Sequence, residues 1–475
     1  MVVATPNKTH VAVLSSPGLG HIIPLLELAK RLVIYHDSHV SFLNITTTES
    51  SAAQDHLLRS PSLPNGLDIV DLPRVDVATV CSPDIPIAHK IGVIVEESLQ
   101  SLKSLLIDLG KPKALVIDLF CTQAFEICSQ LDIPTYLFFT TSTAFFAFCL
   151  YLPTLDHEVE GELVDLPEPI EVPGCTPVRP EDLADPVRHR KTDDYQLFVL
   201  LSSRFPLAAG IFLNSWDDLE PVALKAIREN TFYKQIHAPP VYPVGPLVKQ
   251  DEPLSSKDAE YLAWLDKQPS ESVLFVSFGS GGTLSTEQLR ELAWGLELSQ
   301  QRFTWVVRPP CDTASGTFFN VGSELNDPKT YLPEGFLERT NALGLVIPSW
   351  APQTTVLRHP STGGFLSHCG WNSSLESITH GVPMITWPLY AEQRTNATFL
   401  TEEVKLAIRP EVERGKTVVR REEIERVVRV LMEGEEGKAI RCRVKELKDS
   451  ALKSLDYGGS SYESLSCVAK QWRLN

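Results

Sequence analysis

Positive charge is scarce in this sequence. It contains 43 Lys and Arg residues against 60 Asp and Glu, which gives a formal net charge of −17. Phosphate backbones are bound by clustered basic side chains, so a nucleic-acid partner is not expected. A small anion could still be held by local groups, such as the free N–H groups at a helix N-terminus.

Cysteine pairs and metal-ligand spacings are also missing. The nine cysteines are odd in number and scattered along the chain. None lies in a CxxC pattern or at a Cys/His spacing suited to zinc. We therefore expect neither a disulfide framework nor a metal site.

The first residues lack the features of a secretion signal, because the apolar stretch after Lys8 is short and runs into a turn. Asn372 belongs to one of four N-x-[ST] sequons and lies inside a candidate phosphate-binding motif. A glycan there would block the motif. A cytosolic location is therefore expected.

No stretch reads clearly as a membrane span. Residues 136–152 are rich in Phe, Leu and Ala, but a Thr-Thr-Ser-Thr run at 140–143 interrupts them and Pro134 and Pro153 bound them. The stretch is also short of the roughly 20 residues that a spanning helix needs. We predict a buried strand followed by an apolar helix.

The pattern that is present is an alternation of short β-rich runs and helical periodicity. In the first half, strands are predicted over residues 10–15, 40–45, 114–118, 135–139 and 210–214, and a helix over 23–35. In the second half, strands are predicted over residues 273–278, 303–307, 345–347 and 364–366, and a helix over 286–299. Such alternation indicates parallel sheets covered by helices, and 475 residues favour two domains.

A proline-rich stretch separates the two series. Residues 239–256 contain five prolines, so a linker is expected there and a regular element is not. We predict an N-terminal domain over 1–245, a linker over 246–258, a C-terminal domain over 259–455 and a final helix at about 456–475 that packs back on the first domain. Charged amphipathic helices are predicted over 421–432 and 437–455, and a polar loop over 311–330.

The strongest local motif is the segment 361–376, STGGFLSHCGWNSSLE. A short strand runs into His368 and Gly370, and a polar helix start follows. Gly370 lets the backbone approach a ligand closely, and His368 can donate a hydrogen bond to a phosphate oxygen. The segment therefore suits an anion.

Two interpretations of the helix start remain open. Asn372, Ser373 and Ser374 can cap the helix, whose free N–H groups and positive dipole end would then face an anion. Alternatively, Ser373 and Glu376 form a capping box with no ligand involved.

Further polar and aromatic residues follow strands in the same half. Trp350 could stack on a base. Gln353 and Glu376 offer groups suited to ribose hydroxyls, and Glu392 and Gln393 offer groups suited to sugar hydroxyls.

These segments together resemble a known signature. WAPQ from Trp350, HCGWNS from His368, GVP from Gly381, WP from Trp387 and AEQ ending at Gln393 are similar to the plant secondary product glycosyltransferase signature over its full length. The layout of both halves resembles plant family 1 UDP-sugar glycosyltransferases over nearly the whole chain. SPGLGH and VIDLF in the first half most resemble the branch of hydroquinone and phenol glucosyltransferases.

The resemblance implies an α/β protein with the GT-B fold, in which two Rossmann-like domains face each other across a cleft and the UDP-sugar donor lies mostly on the C-terminal one. The donor contacts that it implies are Trp350 stacked on uracil, Ala351 at the edge of uracil, Gln353 and Glu376 at the ribose, His368, Asn372 and Ser373 at the pyrophosphate, and Glu392 and Gln393 at the sugar hydroxyls. Trp371 would position the sugar, and Gly370, Tyr390, Ser277 and Ser280 complete the expected donor site.

The end of the signature bears on the donor sugar. The family usually has Gln at the last position when the donor is glucose, so Gln393 favours UDP-glucose. Many members have Asp where this chain has Glu392, a departure that keeps the charge and moves it by one methylene.

Catalysis needs a base, because an acceptor hydroxyl with a pKa near 10 is a weak nucleophile. His21 follows the glycine turn after the first strand, and Asp118 ends another strand of the same sheet, where it could orient the imidazole. From the residues alone, His21 could also be an ordinary helix-start contact. His21 and Asp118 match the family's catalytic pair, which implies inversion at the anomeric carbon without a metal or cofactor.

The acceptor pocket is expected to be apolar. The residues assigned to it are Phe120, Phe145, Phe146, Phe148, Leu183 and Leu200, although ordinary core packing would explain each of them equally well. Their aromatic character favours a small phenolic or indolic acceptor. A flavonoid or another natural product is the alternative acceptor, and the chain is expected to act as a monomer.

Two other functions would leave different marks in the sequence. A nicotinamide-dependent oxidoreductase is disfavoured because Ile23 stands where G-x-G-x-x-G needs its third glycine, and no Asp or Glu follows the second strand. A non-catalytic sugar-nucleotide-binding protein is disfavoured because His21 and Asp118 are both present.

Overall fold

The computed structural model describes residues 8–82, 85–249, 255–312, 327–413 and 416–474. The described residues up to Val248, together with those from Leu452 onward, form one compact unit. The residues from Lys249 to Ala451 form a second unit. Each unit is built around one parallel sheet, and each is described separately below.

The first unit contains a seven-stranded sheet in the order β3-β2-β1-β4-β5-β6-β7, in which all neighbouring strands are parallel. The second unit contains a six-stranded parallel sheet in the order β10-β9-β8-β11-β12-β13. The strands are β1 Thr9–Ser15, β2 Ser38–Asn44, β3 Leu67–Asp71, β4 Leu115–Asp118, β5 Thr135–Phe139, β6 Gly210–Leu213, β7 Val241–Pro243, β8 Val273–Ser277, β9 Arg302–Val307, β10 Gly344–Pro348, β11 Thr362–Ser367, β12 Met384–Thr386 and β13 Ala407–Ile408.

Helices connect the parallel strands, as crossover connections require. They are α1 Leu19–Tyr35, α2 Ala52–Leu58, α3 Val77–Val80, α4 Ile87–Ser98, α5 Leu102–Asp108, α6 Ala124–Ser129, α7 Thr143–Glu158, α8 Asp193–Arg204, α9 Pro221–Glu229, α10 Thr231–Gln235, α11 Ser256–Leu265, α12 Thr286–Ser299, α13 Phe336–Thr340, α14 Gln353–Arg358, α15 Trp371–His380, α16 Gln393–Thr398, α17 Arg421–Glu433, α18 Glu435–Leu455 and α19 Ser460–Leu474.

The last helix packs on the sheet of the first unit. The indole of Trp472 in α19 is 1% exposed, and its ring lies 5.3 Å from Tyr136 and 6.1 Å from Phe212. Leu465 and Val468 of α19 join the same buried cluster as the apolar face of α1. Burial of these large side chains is the main force that holds the end of the chain to the first unit.

The apolar stretch 136–152 is a strand followed by a helix, as predicted. β5 is buried throughout, and α7 begins after Ser142, whose hydroxyl accepts a hydrogen bond from the backbone N–H of Phe145 at 3.2 Å. In the part of the chain that the structure describes, no helix has both the length and the apolar character needed to span a bilayer.

The prediction that residues 239–256 hold no regular element is wrong, because β7 forms within them. Pro243 is tolerated there since β7 is the edge strand of the sheet, where a missing N–H breaks no second ladder. The predicted strands also do not include β3, β12 and β13. β12 and β13 have only three and two residues, whereas β3 is a partly buried edge strand that contains two aspartates. Residues 313–326 of the predicted polar loop lie outside the described residues, and Pro328–Thr330 form one turn of 3₁₀ helix.

Candidate active site

His21 and Asp118 meet at one edge of the first sheet. His21 lies in the first turn of α1, directly after β1, and Asp118 is the last residue of β4, which pairs with β1. Because the strands are parallel, their carboxyl ends bring the two side chains together, and His21 Nδ1 lies 2.8 Å from Asp118 Oδ2. An ionised carboxylate only accepts, so Nδ1 donates, and in the neutral ring Nε2 is the nitrogen that carries no proton.

Asp118 is held rigidly. Its side chain is fully buried, and its second oxygen accepts a hydrogen bond from the backbone N–H of Phe120 at 3.0 Å. His21 itself is 14% exposed at the side chain. The pair therefore combines a fixed, buried carboxylate with an imidazole that a ligand can reach.

Thr140 is a site residue that the sequence analysis missed. Its hydroxyl lies 3.4 Å from His21 Nδ1. It directly follows β5, the strand beside β4, so its position at the end of a neighbouring strand was the available signal. The same reasoning that selected Asp118 could have selected Thr140.

A row of aromatic rings leads away from His21. The ring of Phe120 lies 5.5 Å from the imidazole and 6.0 Å from Phe198. Phe198 in turn lies 6.3 Å from Phe145, which stacks on Phe148 at 6.2 Å. Three of the six residues assigned to the acceptor therefore lie in one apolar row, and Phe198 of α8 joins them without any local sequence signal.

The other three residues assigned to the acceptor are Phe146, Leu200 and Leu183, and they lie outside this row of ring contacts. Phe146 is fully buried and packs between Phe139 and Phe205, because it projects from another side of α7 than Phe145 and Phe148. Leu200 is 49% exposed and stands two residues from Phe198 on α8, which places it about 200° around the helix. Leu183 is buried directly after the turn Pro180–Asp182. The assignment of Phe146, Leu183 and Leu200 to the acceptor therefore stays a prediction.

In the second unit, Gln353 follows β10 and hydrogen-bonds to residues that end β8 or follow β11. It is the first residue of α14, and its amide nitrogen donates to Ser373 Oγ at 2.8 Å and to Glu376 Oε2 at 2.7 Å. Its carbonyl oxygen accepts from Ser277 Oγ at 3.2 Å. Four of the residues assigned to the donor therefore form one hydrogen-bonded network.

Glu376 is the ionisable member of that network. It is 6% exposed, and burial raises the pKa of its carboxyl group to about 7, although the hydrogen bond from Gln353 and the charge of Lys249 favour the ionised form. A carboxyl group in this state can accept from a hydroxyl when ionised and donate to one when protonated.

The structure contradicts the predicted capping box at the start of α15. The N-cap position is Gly370, which has no side chain that could cap the helix. Ser373 and Glu376 both point to Gln353 rather than forming a capping box, and Ser374 donates back to the carbonyl of Gly370 at 3.1 Å. The other interpretation, in which the N–H groups at the start of α15 face an anion, stays a prediction.

Two glycines make room for His368. A Cβ atom on Gly279 would lie 2.5 Å from the imidazole ring, and one on Gly370 would lie 2.6 Å from its Nε2. The ring therefore fits between the loop after β8 and the start of α15. Burial, with the charge of Arg308 as a smaller contribution, lowers the pKa of His368 to about 4, so the ring is neutral at physiological pH and offers one N–H donor.

The two tryptophans assigned to the donor differ in exposure. Trp350 is 43% exposed, so its ring is available for stacking, whereas the neighbouring Ala351 is buried. Trp371 is 2% exposed, and its ring packs on Phe399 at 5.9 Å. The indole of Trp371 therefore belongs to the core, and its backbone lies at the start of α15. The expectation that Trp371 helps to position the sugar stays a prediction.

The end of the signature forms a compact turn. The carbonyl oxygen of Gln393 accepts from the backbone N–H groups of Leu389 and Tyr390 at 2.8 and 3.0 Å, and the Gln393 side chain also hydrogen-bonds to the Tyr390 phenol. Burial raises the pKa of the Tyr390 phenol to about 12. Glu392 occupies the N-cap position of α16. Ser280 is half-buried in the loop after β8.

Comparison with known proteins places the chain in a family. A family model described as UDP-glucoronosyl and UDP-glucosyl transferase matches residues 223–456. The chain is 47% identical over 468 residues to anthocyanidin 3-O-glucosyltransferase 5 of Manihot esculenta, with 98% of this chain and 96% of that protein covered. It is 46% identical over 471 residues to the hydroquinone glucosyltransferase of Rauvolfia serpentina, with 98% of each covered.

A solved structure agrees in fold and sequence. A UDP-glucosyltransferase from Polygonum tinctorium capable of glucosylating indoxyl, solved with 3,4-dichloroaniline, matches with a TM-score of 0.88 and 45% identity over 98% of this chain and 99% of that one. The chain therefore belongs to the UDP-glycosyltransferase family, and it is a UDP-glycosyltransferase with the GT-B fold of two Rossmann-like units. The family resemblance inferred from the signature is confirmed.

Proposed function

We propose that this enzyme transfers glucose from UDP-glucose to a hydroxyl group of a small phenolic or indolic acceptor, with inversion, to form a β-O-glucoside. The observation that carries the proposal is the 2.8 Å contact between His21 and Asp118 beside the aromatic row of Phe120, Phe198 and Phe145. A base next to an apolar surface suits a flat acceptor with one hydroxyl group.

His21 is the proposed general base. Nε2 takes the proton of the acceptor hydroxyl, and the buried carboxylate of Asp118 holds the ring in the required tautomer and stabilises the imidazolium that forms. The acceptor oxygen then forms a bond to the anomeric carbon. The bond from that carbon to UDP breaks, and UDP leaves with the electron pair.

The second unit is the proposed donor site. Trp350 offers an exposed ring for the uracil, and the network of Gln353 and Glu376 offers donor and acceptor groups for the ribose hydroxyls. Glu392 and the amide nitrogen of Gln393 are assigned to the glucose hydroxyls. Ala351, Asn372, Ser373, Ser277 and Ser280 complete the proposed set of donor contacts.

Charge on the departing UDP needs stabilisation. The first-turn N–H groups of α15 and the neutral imidazole of His368 are the proposed donors to the diphosphate. We propose that no metal ion takes part, because preorganised N–H donors at a helix N-terminus can meet the developing charge.

The acceptor class rests on the aromatic row and on the relatives. One relative is named for hydroquinone, and a structural neighbour is described as capable of glucosylating indoxyl. Another relative is named for an anthocyanidin, so a flavonoid is the second candidate acceptor.

The decisive experiment incubates the purified protein with UDP-glucose and a panel of hydroquinone-like phenols, indoxyl-type compounds and flavonoids. We expect β-glucosides of the small phenols or indoles, identified by NMR of the anomeric proton, at a rate that EDTA does not change. UDP-galactose serves as the matched donor control and should be used more slowly. An α-configured product or complete loss of activity with EDTA would overturn the proposed mechanism, and turnover of flavonoids alone would select the second candidate.

A further inference from the structure

Asn396 is a buried amide next to the donor site. It lies in α16 and is 0% exposed. Its Nδ2 donates to the backbone carbonyl of Cys369 at 3.0 Å and to Glu392 Oε1 at 3.1 Å. One side chain therefore contacts two separate parts of the site.

The first contact is with a strained turn. Cys369 has a φ of +65°, a left-handed conformation that non-glycine residues rarely adopt. This turn joins His368 to Gly370 and so determines where the imidazole and the N-terminus of α15 point. Strained backbone of this kind persists only where surrounding contacts hold it, and the hydrogen bond from Asn396 is one of them.

The second contact is with a carboxylate. Glu392 stands four residues before Asn396, at the N-cap position of α16, and its side chain is half-buried. A hydrogen bond to an ionised oxygen is stronger than a neutral one and restricts the rotamers of the acidic side chain. Asn396 thus fixes the position of one oxygen of Glu392.

We propose that Asn396 is a positioning residue that couples the diphosphate-binding turn to the sugar-binding carboxylate. By donating to Cys369 and Glu392 at once, it holds the two groups at a set separation, which has to match the distance between the diphosphate and the sugar hydroxyls of the donor. The inference rests on the proposed function, since it takes Glu392 and the α15 N-terminus as the sugar and diphosphate subsites.

The coupling predicts a distinct pattern of ligand affinities. Asn396→Asp keeps the size of the side chain but replaces its donor with an acceptor, so it should weaken the binding of both UDP and UDP-glucose by about 10-fold or more. Glu392→Gln should leave UDP binding within about twofold of wild type and weaken only UDP-glucose. Asn341→Ala, at an exposed asparagine of the same unit, is the matched control and should change neither.

The measurement is calorimetric titration of each folded variant with UDP and with UDP-glucose, together with KM and kcat for UDP-glucose. Asn396→Ala provides a second variant without an added carboxylate. If folded Asn396 variants bind both ligands as tightly as wild type, or if neither variant folds, the positioning role is wrong and Asn396 serves the fold alone. If the wild-type protein itself fails to bind UDP-glucose, the proposed function fails instead.

Discussion

His21 and His368 occupy comparable places in the two units, yet their surroundings differ. Each follows a strand in the middle of a parallel sheet and lies at the start of a helix. His21 faces a buried carboxylate at 2.8 Å. In the described part of the chain no carboxylate pairs with His368, which is buried and lies within electrostatic reach of Arg308.

The difference teaches that the neighbours of a histidine decide its chemistry. A carboxylate beside the ring orients it and stabilises the imidazolium, which is what a general base needs. Burial without a carboxylate keeps the ring neutral. A neutral ring carries no charge and can donate one hydrogen bond. These surroundings suit the proposed roles, which are a general base in the first unit and a hydrogen-bond donor to an anion in the second.

The largest effect is expected at the base. His21→Ala should lower kcat by about 10²–10⁴-fold and leave UDP binding close to that of wild type, because the variant removes the proton acceptor and not a donor contact. Turnover with a phenolic acceptor and titration with UDP would measure the two quantities. Full activity in this variant would contradict the assignment of the base.

A smaller loss is expected at the orienting carboxylate. Asp118→Asn keeps the shape of the side chain but no longer stabilises the imidazolium, so kcat should fall on the order of 10²-fold. The pH profile of kcat would be recorded for the variant and for wild type. An unchanged rate and profile would mean that the His21–Asp118 contact is only structural.

At His368 the comparison predicts a loss of binding rather than of proton transfer. His368→Gln should weaken UDP binding by about 10-fold, since one hydrogen-bond donor to the diphosphate is displaced. Because the pKa of His368 is lowered to about 4, the loss should be the same at pH 6 and pH 8. A loss that grows towards pH 6 would show that the ring is charged and would break the comparison.

The smallest effect concerns the stability of the second unit. Burial raises the pKa of Glu376 to about 7, above the ordinary value of 4.5, so the folded protein binds this proton more tightly than the unfolded chain. The stability that this proton contributes is fully present below about pH 4.5 and is lost as the pH rises through 7.

In the Glu376→Gln variant the side chain is neutral at every pH. The variant should therefore lose less stability than wild type between pH 5 and pH 8. The difference is expected to be on the order of 1 kcal/mol. Thermal unfolding without ligand at the two pH values would measure it. Equal pH dependence in both proteins would mean that Glu376 is ionised at neutral pH in the folded state.

Local sequence signals accounted for much of the fold. β5 and α12 match their predicted bounds, and most other predicted strands are correct to within one or two residues, because buried parallel strands are continuous apolar runs between helices. Two of the missed strands, β12 and β13, have only three and two residues. β3 is a partly buried edge strand with two aspartates, and β7 contains Pro243, which its edge position permits.

The site was partly predictable for the same reason. His21 and Asp118 could be named because each follows or ends a strand, and the donor network could be named from its signature. Phe198 and Asn396 could not be named from the sequence. The contacts of Phe198 with Phe120 and of Asn396 with Cys369 join residues that are distant in the sequence and that only the fold brings together.

The sequence by itself determined the alternation of strands and helices. It also determined which residue types follow the carboxyl ends of the strands in each of the two sheets. The tertiary structure decided the rest, namely that Trp371 faces the core while Trp350 stays exposed, and that His21 is paired with a carboxylate while His368 has no such partner among the described residues. The physical reason is that burial and charge are set by neighbours, and the partner of His21 lies 97 residues away in the chain.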